Sequence, residues 1–496
     1  MGMDMRRIRK DALLVFGLLA ITYAYFYQDP DWNGNSRLGL TAAIVREGRL
    51  TIDSFHDNQE EGLKTGDKSR YNRHYYTDKA IGSSVIAAFF YMPLYWLTRL
   101  LGLAISTWGM KYFLTFFVMG LPSALAGSLI YVVCENISGD KFRAFMVTMA
   151  IALGSMFFPF SVIFYGHQLA AALLFFGFFM IFQLRIKPDP VKKGYLFFIG
   201  LLLGFALITD YTTAVIVLPL ILYYFYVLWN KPALHRLTSI AIPAFGGFIP
   251  VAMTLVYNVL CYGKPFVNGY QYLYNPFYRE AMSSGIMGIG WPDPKVLFYE
   301  TFHPAQGLFW QSPVLIMALV GAYFMLRAKQ YRPEWLIVVT AFFAYLLLNS
   351  GYFMWWGGFS FGPRQITPML PFLCLPLIFV PRRLFPFVIL LTIVSVFQMG
   401  IVAASTIRVP DDYFIKIARL SYFQYTAIYS YCLKQLLEGN YAWNLGQALF
   451  GLKNWASLIP ISLIVLSASL LMAFNPGQRP LLPRRGTPAV LPLPKR

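Results

Sequence analysis

Apolar runs of about twenty residues, the length that crosses a bilayer, recur along almost the whole chain. Polar residues gather in the breaks between them. The pattern predicts a polytopic all-α membrane protein with no separate soluble domain. Lys and Arg clusters at Arg6–Lys10, 141–143, 185–193, 231–236, 327–332, 382–383 and along the tail after Arg479 read as cytoplasmic loops. Outward crossings then fall at 12–27, 142–164, 195–208, 237–260, 334–352 and 384–405. Return crossings fall at 111–134, 168–182, 212–229, 307–326, 366–380 and 456–474. Both termini lie in the cytoplasm.

The run 80–101 is the difficulty. If it crosses, every later loop carries the wrong charge. Pro93, Tyr91, Tyr95, Trp96 and Arg99 suit a broken or interfacial helix. About twelve crossings follow, or thirteen to fourteen if this run also spans. The first external region is then long, 28–110, and carries juxtamembrane helices. Within it Asn35–Ser36 is read as a cap, Leu38, Ala42 and Val45 as one apolar face, and Gly48 as a stop. That segment is read as a helix on the membrane surface. The expected organisation is a transmembrane catalytic module at 1–383, C-terminal crossings at 384–474 with an external loop at 406–455, and a flexible basic tail at 475–496.

Composition sharpens the class. The 496 residues are 57% hydrophobic and 13% charged, where a soluble domain carries about 25% charge. The net charge of +19 fits a positive-inside chain attracted to membrane lipid. A basic soluble face for nucleic acid is absent, so nucleic acid is excluded as a partner. Four scattered cysteines, Cys134, Cys261, Cys374 and Cys432, lack metal-ligand spacing and read as core or loop residues. The basic start before the first apolar run has no small-residue cleavage site after it and reads as a retained helix.

Against that background, 28–79 stands out. It holds Asp29, Asp31, Asp53, Asp67, Asp78, Lys68, Arg70, Arg73, His74 and Lys79 at the end of an apolar helix. The charge-based topology brings three more polar groups to the same face: Tyr165-Gly166-His167-Gln168, Thr209-Asp210-Tyr211, and Trp355 through Arg364. Ionisable residues so close to the apolar slab mark function more often than not. Arg364 follows a glycine-rich turn and precedes an apolar helix, and Lys79 begins another apolar helix. A cation at a helix N-terminus suits an anion. Two of them at a membrane surface suit a phosphate or pyrophosphate carried on a lipid. Snorkelling to headgroups and interfacial anchoring are the plain alternatives for the cations and aromatics. A neighbouring carboxylate can serve as general base toward a hydroxyl.

Several segments match a known pattern. They are NSRLGLTAAIVREGRLTID at Asn35–Asp53, TGDKSRYNRHYYTDKAIG at Thr65–Gly82, FYGHQLAAALLFFGFF at Phe164–Phe179, LITDYTTAVIVLPL at Leu207–Leu220, YNVLCYGKPF at Tyr257–Phe266, GLFWQSPVL at Gly307–Leu315 and WWGGFSFGPRQITPMLPFL at Trp355–Leu373. In order and spacing the chain resembles the lipid-carrier-dependent integral-membrane glycosyltransferases of the GT-C type, allied to the aminoarabinose and protein O-mannosyl transferases. The resemblance implies a GT-C-like fold and a hexosyl or pentosyl transferase. The donor would be a polyprenyl-phosphate-linked sugar, and the acceptor an extracytoplasmic glycan, lipid or protein hydroxyl. It implies an inner (plasma) membrane location with the site on the external face, and inversion at the sugar. It makes Lys79 a ligand of the lipid phosphate, aided by Arg364, with Arg37 and His167 as further phosphate or lipid contacts. Tyr76, Tyr211, Tyr270 and Trp355 are candidates for binding sugar or lipid.

The chain departs from that pattern at one point. Many members carry an acidic pair two and three residues before the arginine matching Arg37, where this chain has Asn35 and Gly34. The base therefore stays open among Asp31, Asp29, Asp78 and Asp210. No metal ligand is assigned and no cofactor is required, although a divalent ion is left open. A transporter or flippase of a lipid-linked saccharide is the alternative. It would be built from internal repeats with polar residues at mid-membrane, and neither feature is visible. A catalytically dead scaffold is a third reading.

Overall fold

A computed structural model describes residues 5–60, 62–186, 192–410 and 426–474. The basic tail at 475–496, and residues 411–425 of the external loop expected at 406–455, lie outside the described residues. Among the described residues, seven helices are long and apolar enough to cross a membrane: Thr107–Ser138, Gly166–Ile186, Tyr211–Trp229, Leu237–Tyr262, Lys329–Ser350, Phe385–Ala404 and Asn454–Phe474. Two shorter apolar helices, Lys193–Thr209 and Pro313–Arg327, accompany them. The chain is a multi-pass helical membrane protein.

The first helix, α1 (Met5–Tyr25), leads into a two-residue strand, β1 (Phe26–Tyr27). Helix α2 (Trp32–Ala42) follows and ends in one widened turn at Ala43–Glu47. Strands β2 (Lys68–Tyr71) and β3 (His74–Thr77) form an antiparallel hairpin, and α3 (Gly82–Leu100) leaves its far end. A late strand, β4 (Trp443–Asn444), pairs with β1, setting Phe26 opposite Asn444 and Tyr27 opposite Trp443. Tyr25 Oη also donates to the Ser457 carbonyl at 2.5 Å. The C-terminal part is thus fastened to the N-terminal part.

Expectation and structure part at four places. The cap of α2 is Asp31, which accepts from the Asn33 and Gly34 amides at 2.9 and 3.4 Å, rather than Asn35–Ser36. The Asp31 carboxylate meets the free amides one turn earlier, so Asn35 and Ser36 already lie inside the helix. Leu38, Ala42 and Val45 are buried and Gly48 ends the segment at φ +64°, as the pattern predicts. But α2 is buried from Asn33 to Ala42, packed inside protein rather than spread on a surface. The run 80–101 gives one unbroken 19-residue helix despite Pro93. The run 366–380 is no continuous α-helix. Pro368, Pro371 and Pro376 lack the N–H that an α-ladder needs, and the chain winds as a 3₁₀ stretch, Arg364–Leu373, before a short helix, Cys374–Ile378. The run 142–164 likewise splits into Lys141–Ala152 and Phe157–Ser161 around Gly154.

The tightest crossing joins Lys193–Thr209 to Leu237–Tyr262. A Cβ on Gly200 would lie 1.8 Å from the Pro243 carbonyl oxygen, and one on Gly246 would lie 2.3 Å from that of Phe197. Gly204 faces Gly247 in the same way. Small residues let two backbones touch where water supplies no driving force between helices. All four cysteines are buried free thiols.

Candidate functional site

A cavity of about 780 Å³ opens where the β2–β3 hairpin, the start of α2 and the ends of several long helices meet. Asp31, Asp29, Asp78 and Asp210 line it, as do Lys79, Arg364, Arg37 and His167. Tyr211 and Tyr270 are on its wall too. Tyr76 and Trp355 are not. Tyr76 packs on Tyr262 at 5.3 Å within a satellite core, and Trp355 stacks on Tyr299 at 5.7 Å. Segments separated by hundreds of residues therefore supply one polar chamber.

The hairpin builds its first wall. Asn72 and Arg73 turn it with φ of 47° and 67°, the left-handed pair that closes a two-residue hairpin. Lys68 then pairs with Thr77, which brings Asp67 beside Asp78 and Lys79 one step further on. Lys79 Nζ lies 2.8 Å from Asp67 Oδ2 and 3.1 Å from Asp78 Oδ2. Burial opposes the Lys79 charge, but the two carboxylates outweigh it and hold the ammonium protonated well above its ordinary range. Asp78 is pushed up to about 6 by burial, against the pull of Lys79. The Ser69 hydroxyl donates to the Gly269 carbonyl at 2.6 Å and the Tyr274 amide to the Lys68 carbonyl at 2.9 Å, so the connection after Tyr262 lies over the hairpin and delivers Tyr270.

The second wall is Asp31, Tyr165 and Arg364. While Asp31 Oδ1 caps α2, its Oδ2 accepts the Tyr165 hydroxyl at 2.8 Å and Arg364 Nη1 at 3.4 Å. The Arg364 guanidinium lies over the Tyr165 ring at 4.6 Å. Burial works against its charge, while Tyr165 and Asp31 raise its proton affinity. The third wall is the tight turn pair: His167 Nδ1 meets Asp210 Oδ2 at 2.5 Å, and Asp210 Oδ1 accepts from the Thr212 amide and hydroxyl at 3.1 and 2.8 Å.

Arg37 reaches behind the chamber. Its Nη1 donates to the Ala80 carbonyl at 2.8 Å and Ser83 Oγ at 3.1 Å, and Nε to Asn33 at 3.3 Å. It thereby fixes the backbone just after Lys79. Gly166 explains itself here, because a Cβ would sit 2.9 Å from the guanidinium carbon. Among the described residues, no three His, Cys, Asp or Glu side chains gather as a metal site.

Two participants escaped the candidate set. Tyr165 was visible only as a neighbour of His167. Asp67 was visible in the polar stretch, and a two-residue turn at Asn72-Arg73 would have placed it opposite Asp78.

No family model matches the chain, and no curated protein matches it. Among solved structures the chain is similar to the crystal structure of ArnT from Cupriavidus metallidurans bound to undecaprenyl phosphate. The identity is 13%, with 95% of this chain and 76% of that chain covered and a TM-score of 0.48. It is also similar to the same protein in the apo state, at 13% identity, 93% and 75% coverage and a TM-score of 0.42.

Proposed function

We propose that the chain is a GT-C-type glycosyltransferase. It moves a sugar from a polyprenyl-phosphate carrier to an extracytoplasmic hydroxyl, with inversion, at the outer face of the inner (plasma) membrane. The observation that carries this reading is the pair Lys79 and Arg364, two largely enclosed cations on the wall of one cavity that also bears acidic groups. The ordered segment resemblance supports it independently.

In this reading the lipid phosphate enters between the two cations, and its prenyl chain stays with the membrane. Fixed positive groups in a low-dielectric chamber act most strongly on the charge that grows on the departing phosphate. Arg37 holds the backbone that carries Lys79. Asp210 orients His167 toward the cavity, and Tyr211 and Tyr270 supply aromatic surface for the sugar. A carboxylate on the wall takes the acceptor proton.

The test uses purified protein and a panel of radiolabelled polyprenyl-phosphate sugars. Transfer of label to an acceptor is expected, and it is lost in the double variant Lys79→Ala/Arg364→Ala. Full activity in that double variant removes the phosphate role. Translocation of the lipid-linked sugar without a new glycosidic bond makes the chain a flippase instead.

A further inference from the structure

Five carboxylates line the cavity, and four of them are engaged or withdrawn. Asp31 spends one oxygen on the cap of α2 and the other on Tyr165 and Arg364. Asp210 is held through both oxygens by His167 and Thr212. Asp29 stands at the rim, its Oδ1 shared by Tyr27 and Lys111 at 3.0 and 3.1 Å. Asp78 touches Lys79, but its side chain is only 4% exposed.

Of the two carboxylates that touch Lys79, Asp67 is the one with room to move: its side chain is 16% exposed against 4% for Asp78. Its Oδ2 meets Lys79, and its Oδ1 makes no hydrogen bond or ion pair among the described residues. Its charge also acts on Arg364, so the one carboxylate interacts with both cations. The backbone beneath it is fixed. The Asp67 amide donates to Thr65 Oγ1 at 3.0 Å, Thr65 Oγ1 donates to the Trp32 carbonyl at 2.8 Å, and Gly66 lies against the Trp32 ring. Leaving Lys79 therefore takes only a side-chain rotation, with the hairpin unmoved.

We infer that Asp67 is the built-in competitor of the donor phosphate for Lys79, and that the carboxylate displaced by the phosphate is the base that takes the acceptor's proton. This rests on the glycosyltransferase reading above. An anion arriving at Lys79 has two carboxylates to contend with, and Asp67 is the one with room to turn. Turned away, it loses its cationic partner, and a carboxylate freed from an ion pair binds a proton more readily. The acceptor O–H bond then breaks and its proton passes to Asp67. The acceptor oxygen bonds to the anomeric carbon. The bond from that carbon to the phosphate oxygen breaks with its electron pair left on the phosphate, beside Lys79 and Arg364. Base activation and donor occupancy are thereby one event, which protects the site from drawing a proton before the donor has arrived.

The experiment compares the full chain and its variants in lipid nanodiscs. Binding is measured with farnesyl phosphate as the probe, and transfer with the labelled polyprenyl-phosphate sugars. Asp67→Asn, close to isosteric, is expected to bind farnesyl phosphate about tenfold more tightly than the wild type, because the competitor has lost its charge. The same variant is expected to transfer sugar at least about 100-fold more slowly, and Asp67→Glu to recover part of that loss. A purely structural role would weaken binding and transfer together. Unchanged or weaker binding in Asp67→Asn, or transfer at the wild-type rate, overturns the assignment. Lys79→Ala separates this inference from the reading beneath it. If Lys79→Ala binds the probe as well as the wild type, the phosphate reading falls and this inference with it. If Lys79→Ala weakens binding while Asp67→Asn behaves as the wild type, the role of Asp67 alone is lost.

Discussion

Arg364 Nη1 lies 3.4 Å from Asp31 Oδ2, a contact between residues 333 positions apart. It joins the first helix cap of the cavity to the 3₁₀ stretch that closes it. The guanidinium uses its edge on the carboxylate and its face on Tyr165. A lysine matches neither geometry. Arg364→Lys is therefore expected to lower sugar transfer by about tenfold or more while leaving the protein folded, and Arg364→Ala to lower it further. Transfer rates beside thermal melting of the same preparations check this.

Arg37 is expected to matter first for stability. Its donors satisfy the Ala80 carbonyl and Ser83 in a buried setting, and hydrogen bonds from charged groups contribute about 1.5–3 kcal/mol each. Arg37→Ala should cost on the order of 2 kcal/mol or more. Gly166→Ala, which forces a methyl group onto the guanidinium, should lower the melting temperature in the same direction. Melting curves of both variants in one detergent test the pair, and an unshifted Gly166→Ala would remove the contact.

Glu300 gives a pH dependence. It is fully buried, its Oε2 accepts from Asn349 Nδ2 at 2.6 Å, and burial pushes its carboxyl up to about 8. A carboxyl raised in the folded state contributes stability that is complete below its unfolded value, about 4.3. That contribution is lost as the pH rises through about 8. The wild type should therefore lose a few kcal/mol between about pH 5 and pH 9. Glu300→Gln keeps a neutral side chain and should flatten that part of the profile. Melting temperatures across the range decide it.

The glycine crossing predicts a steep size limit. A methyl group on Gly200 meets the Pro243 carbonyl oxygen at 1.8 Å, which only separation of the two helices can relieve. Gly200→Ala is expected to destabilise by about 1–3 kcal/mol, and Gly200→Leu by more. Gly194, with nothing within 4 Å of a Cβ, is the control and should tolerate alanine. Thermal unfolding of the three variants measures the difference.

The sequence was informative where one physical rule dominates. Helix length and charge bias reveal a multi-pass protein because unpaired backbone polar groups cannot stay in lipid. The convergence of Lys79, His167, Asp210 and Arg364 was legible from loop charge alone, since all four had to end on one side. Finer features rest on competition between neighbours. Asp31 and Asn35–Ser36 are both acceptable caps, and only packing chose Asp31. Prolines at 368, 371 and 376 warned of trouble in a helix, but a fully buried 3₁₀ path needs its neighbours to be seen. Phe372, for instance, packs against Phe175 and Phe178 at 5.9 and 5.6 Å. Tyr76 and Trp355 read as binding aromatics because they belong to the segments that also carry Lys79 and Arg364. Strand alternation turns Tyr76 into the satellite core, and Tyr299 claims Trp355.

The pairing of β1 with β4 sets a schedule for biogenesis. Phe26 and Tyr27 are made more than 400 residues ahead of their partners Trp443 and Asn444, and pairings so distant along the chain form slowly. Until that second strand has been made, the edge of β1 stays unpaired. A stalled or shortened chain would expose that edge to the quality-control machinery of the cell.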